Sequence, residues 1–326
     1  MFDNKQLFSS VVNEFNKAES IALCGHVMPD GDCLGAMLAL GLALRQMGKR
    51  VVFCSPDPVP AVYGFLPCAG EVQLELNKQW RFDLFVSVDC SVPDRLGHFK
   101  ELLDRAGRVV VLDHHAGSVV FGDVYLNIPA CAAAGEIVYD LLPLLPVVFD
   151  EDIATCLYVA IVTDTGSFRY DNTGPMTHLR VADLMKLGVP AARVNKLLYE
   201  EKPLVSLRIL NAVLQTLGIS DCGRVAWMYV KRDTLRSLDA SDEHVDGVIN
   251  YPRMIKGVEL ALFFRELEDG KYKVSLRSKY YLDVNKLAAR FGGGGHPRAS
   301  GCLIEGDLED IKGRLLQAAL KALRDE

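Results

Sequence analysis

The stretch Arg108-Val-Val-Val-Leu112-Asp113-His114-His115 decides how this 326-residue chain is read. Four apolar residues, the pattern of a buried strand, run straight into an acid and two adjacent imidazoles. Parallel α/β sheets present their chemistry at the carboxyl ends of strands. The chain holds seven histidines, and two of them stand here. A third, His26, follows another apolar run, Ile21-Ala-Leu-Cys24, and leads into Pro29-Asp30-Gly31-Asp32.

Working outward, the first half alternates strands and helices. Apolar spacing predicts a helix over 5–17, a strand at 20–25, a helix over 33–48 and a strand at 49–55. Further strands are expected at 82–88, ending at Asp89, and at 108–112. A short helix near 99–105 is expected between them. Helices follow over 132–142, 151–163 and 178–187, the second ending at Asp164-Thr165-Gly166. Strand–loop–helix–strand repetition is the unit of a parallel sheet. From residue 224 the character turns to short, hairpin-like strands at 225–230, 258–264 and 272–277, with a turn at Glu268-Asp269-Gly270. Helices at 283–291 and 308–324 close the chain. The expected plan is α/β: a doubly wound parallel-sheet domain over 1–190, a helical connector over 191–220 and a smaller α/β domain over 221–326. The active site is expected in the cleft between the two domains.

Composition excludes several classes. Half the residues are hydrophobic and the net charge is −6, which argues against a nucleic-acid coat protein. The longest apolar runs, such as Ile153–Val162, are too short to span a bilayer, and the first residues do not read as a signal peptide. Nine cysteines without a C-x-x-C pair read as buried thiols of a cytoplasmic protein. Charge reverses locally: seven Lys or Arg and one acid lie between Lys271 and Arg298. An anionic ligand is expected there.

Eight residues then fall together. His26, Asp30, Asp32, Asp89, Asp113, His114, His115 and Asp164 come from four segments that follow strands or end a helix. Taken singly, Asp30 and Asp32 are ordinary turn residues and Asp89 an ordinary helix cap. Taken jointly, so many carboxylates in one crevice repel unless cations neutralise them. Mixed carboxylate–imidazole ligation without cysteine suits Mn²⁺, and less well Mg²⁺, Fe²⁺ or Zn²⁺. Two such ions about 3.5–4 Å apart form a clamp for phosphoryl chemistry. Near the other end, Gly292 to Gly295 precede His296-Pro297-Arg298 inside the basic stretch. The bare backbone of Gly293, Gly294 and Gly295, with His296, Arg298 and Arg277, suits a phosphate.

The segments His26-x-x-x-Asp30-x-Asp32, Val88-Asp89, Asp113-His114-His115 and Thr163-Asp164-x-Gly166 resemble the four motifs of the DHH phosphoesterases. Gly292-Gly-Gly-Gly-His-Pro-Arg-Ala-Ser-Gly301 resembles the glycine-rich signature of the domain that accompanies them. The resemblance covers nearly the whole chain and is closest to the nanoRNase branch. It implies a first cation held by His26, Asp30 and Asp89 and a second by Asp32, His114 and Asp164, with Asp89 bridging. It places His115 on the scissile phosphate and Asp113 behind a histidine as its orienting carboxylate. Arg95 joins His115 in taking up developing charge. The implied substrates are short 5′-phosphorylated oligoribonucleotides or 3′-phosphoadenosine 5′-phosphate. Cyclic or linear dinucleotide hydrolysis stays open, and a catalytically silent nucleotide-binding regulator is the alternative of a different class. The family also implies a homodimer.

Overall fold

The computed structural model describes residues 2–268 and 270–325. The chain divides into two compact units, Met1–Glu201 and Lys202–Glu326.

The first unit runs α1 (Phe2–Lys17), β1 (Ser20–Cys24), α2 (Gly31–Gln46), β2 (Arg50–Cys54), β3 (Phe82–Val88), β4 (Ala106–Asp113) and β5 (Val124–Asn127). It continues with α3 (Ala134–Leu141), α4 (Glu151–Asp164), α5 (Pro175–Lys186) and α6 (Ala191–Asn195). All five strands are parallel, in the order β2-β1-β3-β4-β5. Every residue of β1 is buried, as expected of a strand covered on both faces. Alternate residues feed two cores. Ile21, Leu23, Val86 and Leu112 pack with α1 to α4, and Ala22, Cys24, Phe85 and Val111 face the other side.

Helices α2 and α4 are apolar nearly all round because they pass through the first core rather than over it. Their contact needs Gly35, where a Cβ would stand 2.4 Å from the Cys156 carbonyl oxygen. The second face is closed differently from the sequence expectation. No α-helix forms near 99–105; 3₁₀ turns cover Pro93–Leu103, interrupted at Gly97 with φ 54°. The apolar residues there, Leu96, Phe99 and Leu102, are three apart, and a 3₁₀ turn stacks i over i+3.

The segment 191–220 is shared by the two units. A π-helical turn, Lys196–Glu200, follows α6, and the helix is broken at 201–203. The second unit then runs α7 (Leu204–Leu214), β6 (Gly218–Ile219), β7 (Val225–Val230), α8 (Arg232–Ser237), α9 (Asn250–Met254), β8 (Leu260–Glu268) and β9 (Lys271–Ser278). It ends with α10 (Val284–Ala289), β10 (Gly294–His296), β11 (Ala299–Glu305) and α11 (Leu308–Asp325). Its sheet order is β10-β11-β9-β8-β7-β6.

The hairpin-like expectation holds for β8 and β9, which pair antiparallel; their turn includes Asp269, outside the described residues. It fails for β7 and β8, which are parallel. The intervening chain carries α8 and α9, the crossover that a parallel pair needs. Strand β9 alternates, burying Tyr272, Val274 and Leu276 beneath α10 and α11. The glycine run is a strand edge paired to β11, and a Cβ at Gly293 would meet the Gly301 carbonyl oxygen at 2.2 Å. Close packing thus accounts for the bare backbone at Gly293.

Candidate metal centre

In the order β2-β1-β3-β4-β5 the direction of winding reverses between β1 and β3. A crevice opens at the carboxyl ends of strands at such a point. His26 follows β1, Asp89 follows β3, and Asp113 ends β4 with His114 and His115 behind it. Asp30 and Asp32 stand at the start of α2, and Asp164 ends α4. The first unit therefore brings all eight sequence candidates to one place.

Asp89 is the pivot. Its Oδ2 lies 3.4 Å from His26 Nε2, and its Oδ1 lies 3.5 Å from His114 Nε2 and 3.4 Å from His115 Nδ1. Its backbone is left-handed, φ 56°, and its N–H donates to the Leu112 carbonyl at 2.8 Å. That conformation costs on the order of 1–3 kcal/mol for a non-glycine residue and is held by its surroundings. On the His26 side Asp30 Oδ2 lies 3.9 Å from Nε2. On the His114 side Asp32 Oδ2 lies 3.4 Å and Asp164 Oδ2 3.7 Å from Nε2.

The histidines are aimed by their other nitrogens. His114 Nδ1 lies 3.2 Å from the Cys131 carbonyl, and His26 Nδ1 lies 2.8 Å from the Val27 carbonyl. With Nδ1 donating to a carbonyl, the lone pair sits on Nε2 and faces the carboxylates. Arg95 Nη2 also lies 3.0 Å from His26 Nδ1, a contact that cannot be a hydrogen bond in that tautomer. His115 is turned the other way: its Nδ1 contacts Asp113 Oδ1 at 2.7 Å. Asp113 is fully buried and also accepts the His114 and His115 backbone N–H groups and the Ser118 hydroxyl.

The carboxylates are themselves fixed by helix ends. Asp30 Oδ1 caps α2, accepting from the N–H groups of Asp32 and Cys33. Asp32 accepts from Ala134 N at 2.6 Å and Gly135 N at 2.9 Å, the first turn of α3. Asn172 Nδ2 reaches the backbone carbonyl and the carboxylate of Asp164.

Charge crowding follows. Burial, reinforced by the Asp89 charge, holds the Asp32 carboxyl well above its usual range. Burial pushes Asp164 up to about 7 even against the pull of His114. Burial opposes the charge on His114 too, but the Asp89 contact and the charges of Asp32 and Asp164 raise its pKa well above the usual imidazole value. Asp89 goes the opposite way, because His114 and His26 outweigh its burial. This is the electrostatics of a site that stores protons where cations would go.

Two observations support cation binding here. Asp89 Oδ1 is buried and makes no hydrogen bond, so it is an acceptor in want of a partner. The groups Asp89–His114–His115 and Asp32–His114–Asp164 each bring ligand atoms within 4.8 Å of one another. A third such group, His26–Cys33–Asp89, includes a thiol that sequence reading had left among structural cysteines. Cys33 Sγ accepts the His26 N–H at 3.4 Å, and burial pushes its pKa well up. Ser118 and Asn172 also escaped sequence reading; neither lies in a motif, and only their contacts mark them.

On the second unit, Arg277 lies on β9 opposite Ala299 of β11, next in the chain to Arg298. Arg298 Nη1 donates to the Leu282 carbonyl at 2.9 Å, and Arg277 Nη1 to Leu276 at 3.0 Å. Gly295 N donates to Asn285 Oδ1 at 3.0 Å. Gly294 is open, with only Asn285 Oδ1 within contact range of a Cβ, at 3.5 Å. The side chain of His296 lies outside the described residues. No helix among the described residues is long and apolar enough to cross a membrane.

Fold and centre together define a phosphoesterase-type α/β unit joined to a mixed-sheet unit, and the chain belongs to the DHH family. Residues 20–161 match the DHH family N-terminal domain and residues 223–325 the DHHA1 domain. A Thermus thermophilus relative, named bifunctional oligoribonuclease and PAP phosphatase NrnA, is 32% identical over 93% of this chain and 90% of its own length. The Bacillus subtilis protein of the same name is 26% identical over 91% and 93%. Among solved structures, an exopolyphosphatase-related protein from Bacteroides fragilis superposes with a TM-score of 0.89 at 24% identity, covering 98% of this chain and 96% of its own. The exonuclease RecJ from Thermus thermophilus, solved in complex with Mn²⁺, superposes at 0.57 with 14% identity, covering 98% of this chain and 54% of its own.

Proposed function

We propose that this protein is a metal-dependent phosphoesterase. It hydrolyses short 5′-phosphorylated oligoribonucleotides to mononucleotides, and 3′-phosphoadenosine 5′-phosphate to AMP. The observation that carries the reading is Asp89: a buried carboxylate between two imidazoles, with one oxygen lacking a hydrogen-bond partner. The names and extent of the relatives support the same substrates.

In this reading His26, Asp30 and Asp89 hold one divalent cation, most suitably Mn²⁺, and Asp32, His114 and Asp164 hold a second, with Asp89 shared. When bound, the cations supply Lewis acidity, which makes water a nucleophile at neutral pH and offsets charge on phosphoryl oxygens. The chain supplies the rest. Asp113 fixes His115 so that Nε2 is the atom presented to a phosphoryl oxygen. Arg95, anchored beside His26, adds positive charge where the phosphorane develops. Arg277, Arg298, His296 and the backbone of Gly293 to Gly295 hold a substrate phosphate. In the net step a water oxygen bonds to phosphorus, the bond from phosphorus to the ribose oxygen breaks, and that oxygen leaves protonated. Nine cysteines free of disulfides fit a reducing cytoplasm, where we place the reaction. A homodimer is the state to check by light scattering.

The test is a Mn²⁺-dependent assay on four substrates: a 5′-phosphorylated diribonucleotide, a long single-stranded RNA, 3′-phosphoadenosine 5′-phosphate and pyrophosphate. Rapid mononucleotide release from the dinucleotide, with the long strand spared, is the expected result. Hydrolysis of pyrophosphate alone would overturn the substrate class, and inactivity on all four with cation bound would point to cyclic dinucleotides or a regulator.

A further inference from the structure

The turn after β9 carries two aromatic residues that the reading above leaves without a role. Tyr280 is 66% exposed and Tyr281 40% exposed. Exposed tyrosines on a loose turn would need no explanation. This turn is not loose. Glu259 is buried, and its carboxylate accepts the backbone N–H groups of Tyr280, Tyr281 and Leu282, the last two at 2.9 Å. The Lys279 N–H donates to the Glu259 carbonyl as well. A buried carboxylate that gathers three successive N–H groups fixes the backbone beneath both rings.

The turn is also tied to the candidate phosphate donors. Arg298 Nη1 donates to the carbonyl of Leu282, and Ser278 N donates to the carbonyl of Arg298, at 3.1 Å. Val284 N donates to the carbonyl of Pro297 at 2.8 Å. The two tyrosines and the Gly295-His296-Pro297-Arg298 turn are therefore parts of one braced surface. Its charge is cationic: Lys279 Nζ lies 5.7 Å from the Tyr280 ring centre, and the Arg224 guanidinium lies 5.5 Å from that of Tyr281.

We propose that Tyr280 and Tyr281 form a stacking subsite for a nucleobase whose phosphate is held by the adjoining Arg298 turn. Rigid, exposed aromatic faces beside cations are the arrangement that holds single-stranded bases without reading their sequence. An apolar protein partner would not call for the flanking Lys279 and Arg224, and a free phosphate would not call for the rings. The subsite rests on the reading of the protein as a nucleotide phosphoesterase and deepens it: the ligand must carry a base next to its bound phosphate.

The experiment uses the full chain with Tyr280→Ala/Tyr281→Ala and Tyr280→Phe/Tyr281→Phe. KM is measured with Mn²⁺ for a 5′-phosphorylated diribonucleotide and for the same dimer lacking its 5′ base. Stacking predicts that the alanine pair raises KM for the base-bearing dimer by about 5- to 100-fold, leaves the abasic dimer unchanged, and is rescued by the phenylalanine pair. An equal rise for both dimers, or none, overturns the subsite while leaving the activity standing. If the wild type cleaves neither dimer, the functional reading has failed. The subsite is then judged by calorimetry with 5′-AMP in the absence of cations. Binding lost in the alanine pair and kept in the phenylalanine pair supports it; binding absent in the wild type, or equal in all three, overturns it.

Discussion

Asp89→Asn tests the centre most directly. The substitution keeps shape and volume, and asparagine tolerates the left-handed backbone as well as aspartate does, so the Asp89 N–H bond to Leu112 survives. What changes is one unit of charge, 3.4 Å from His26 Nε2 and 3.5 Å from His114 Nε2. At an effective dielectric of about 20, unit charges about 3.5 Å apart attract by about 5 kcal/mol. In the cation-free protein the two histidines answer by releasing protons, so the fold tolerates the change. A dication has no such escape. Losing one such interaction corresponds to about three decades in affinity. Titration calorimetry with Mn²⁺ should show binding weakened at least about 1,000-fold, with turnover lost alongside. Asp30→Asn serves as the comparison: Asp30 Oδ2 is more exposed and stands 3.9 Å from His26, and asparagine caps α2 equally well. Its effect should be clearly smaller. A folded Asp89→Asn protein that binds Mn²⁺ within about tenfold of wild type would refute the reasoning, because no carboxylate could then be bridging the two imidazole sides.

Three further outcomes follow. The cation-free protein should lose stability as pH rises through about 7: Asp164 is held near 7 when folded, against an ordinary carboxylate value of about 3.9, so the folded state keeps a proton that the unfolded chain releases. That contribution is complete below about pH 4 and gone above about 8; Asp32 and His114, also raised, act with the same sign, so melting curves between pH 6 and 8 should fall without Mn²⁺ and flatten with it, and a flat cation-free profile counts against the crowded-carboxylate account. Gly293→Ala should destabilise the second unit by about 1–3 kcal/mol in denaturant melts, since its Cβ would meet the Gly301 carbonyl oxygen at 2.2 Å, while Gly294→Ala should be nearly silent in stability. Arg298→Ala should raise KM for a 5′-phosphorylated dinucleotide and leave Mn²⁺ affinity unchanged; an unaltered KM removes Arg298 from phosphate binding.

Much of this was legible in the chain because parallel sheets leave a plain record. Strand β3 stands at 82–88 as read, and β1 and β4 differ from their readings only at the ends, because strands buried on both faces are continuous apolar runs. The acids and imidazoles that follow them were legible for the same reason, since they interrupt those runs. What stayed hidden depends on contacts across long separations. Nothing near Asp32 announces that it takes the N–H groups of Ala134 and Gly135. Cys33 read as a buried thiol, and it is one, but its position beside His26 and Asp89 required the turn of α2 to be seen. The 3₁₀ turns at Pro93–Leu103 were misread as a helix, although the three-residue spacing of Leu96, Phe99 and Leu102 was available. Strands β10 and β11 escaped notice because glycine and serine carry little strand character.

The double service of Asp30 and Asp32 has a consequence for how such sequences diverge. Each carboxylate secures the opening turn of a helix, α2 for Asp30 and α3 for Asp32. A descendant that abandoned catalysis would still be under pressure to keep both acids, because the scaffold leans on them. His26 and His114 carry no comparable structural duty: each ring nitrogen not facing the acids rests on a single backbone carbonyl. In a lineage drifting toward inactivity the imidazoles should therefore vanish before the aspartates. Intact aspartates alone would then be poor witnesses to a working enzyme, and the histidines are the residues to inspect.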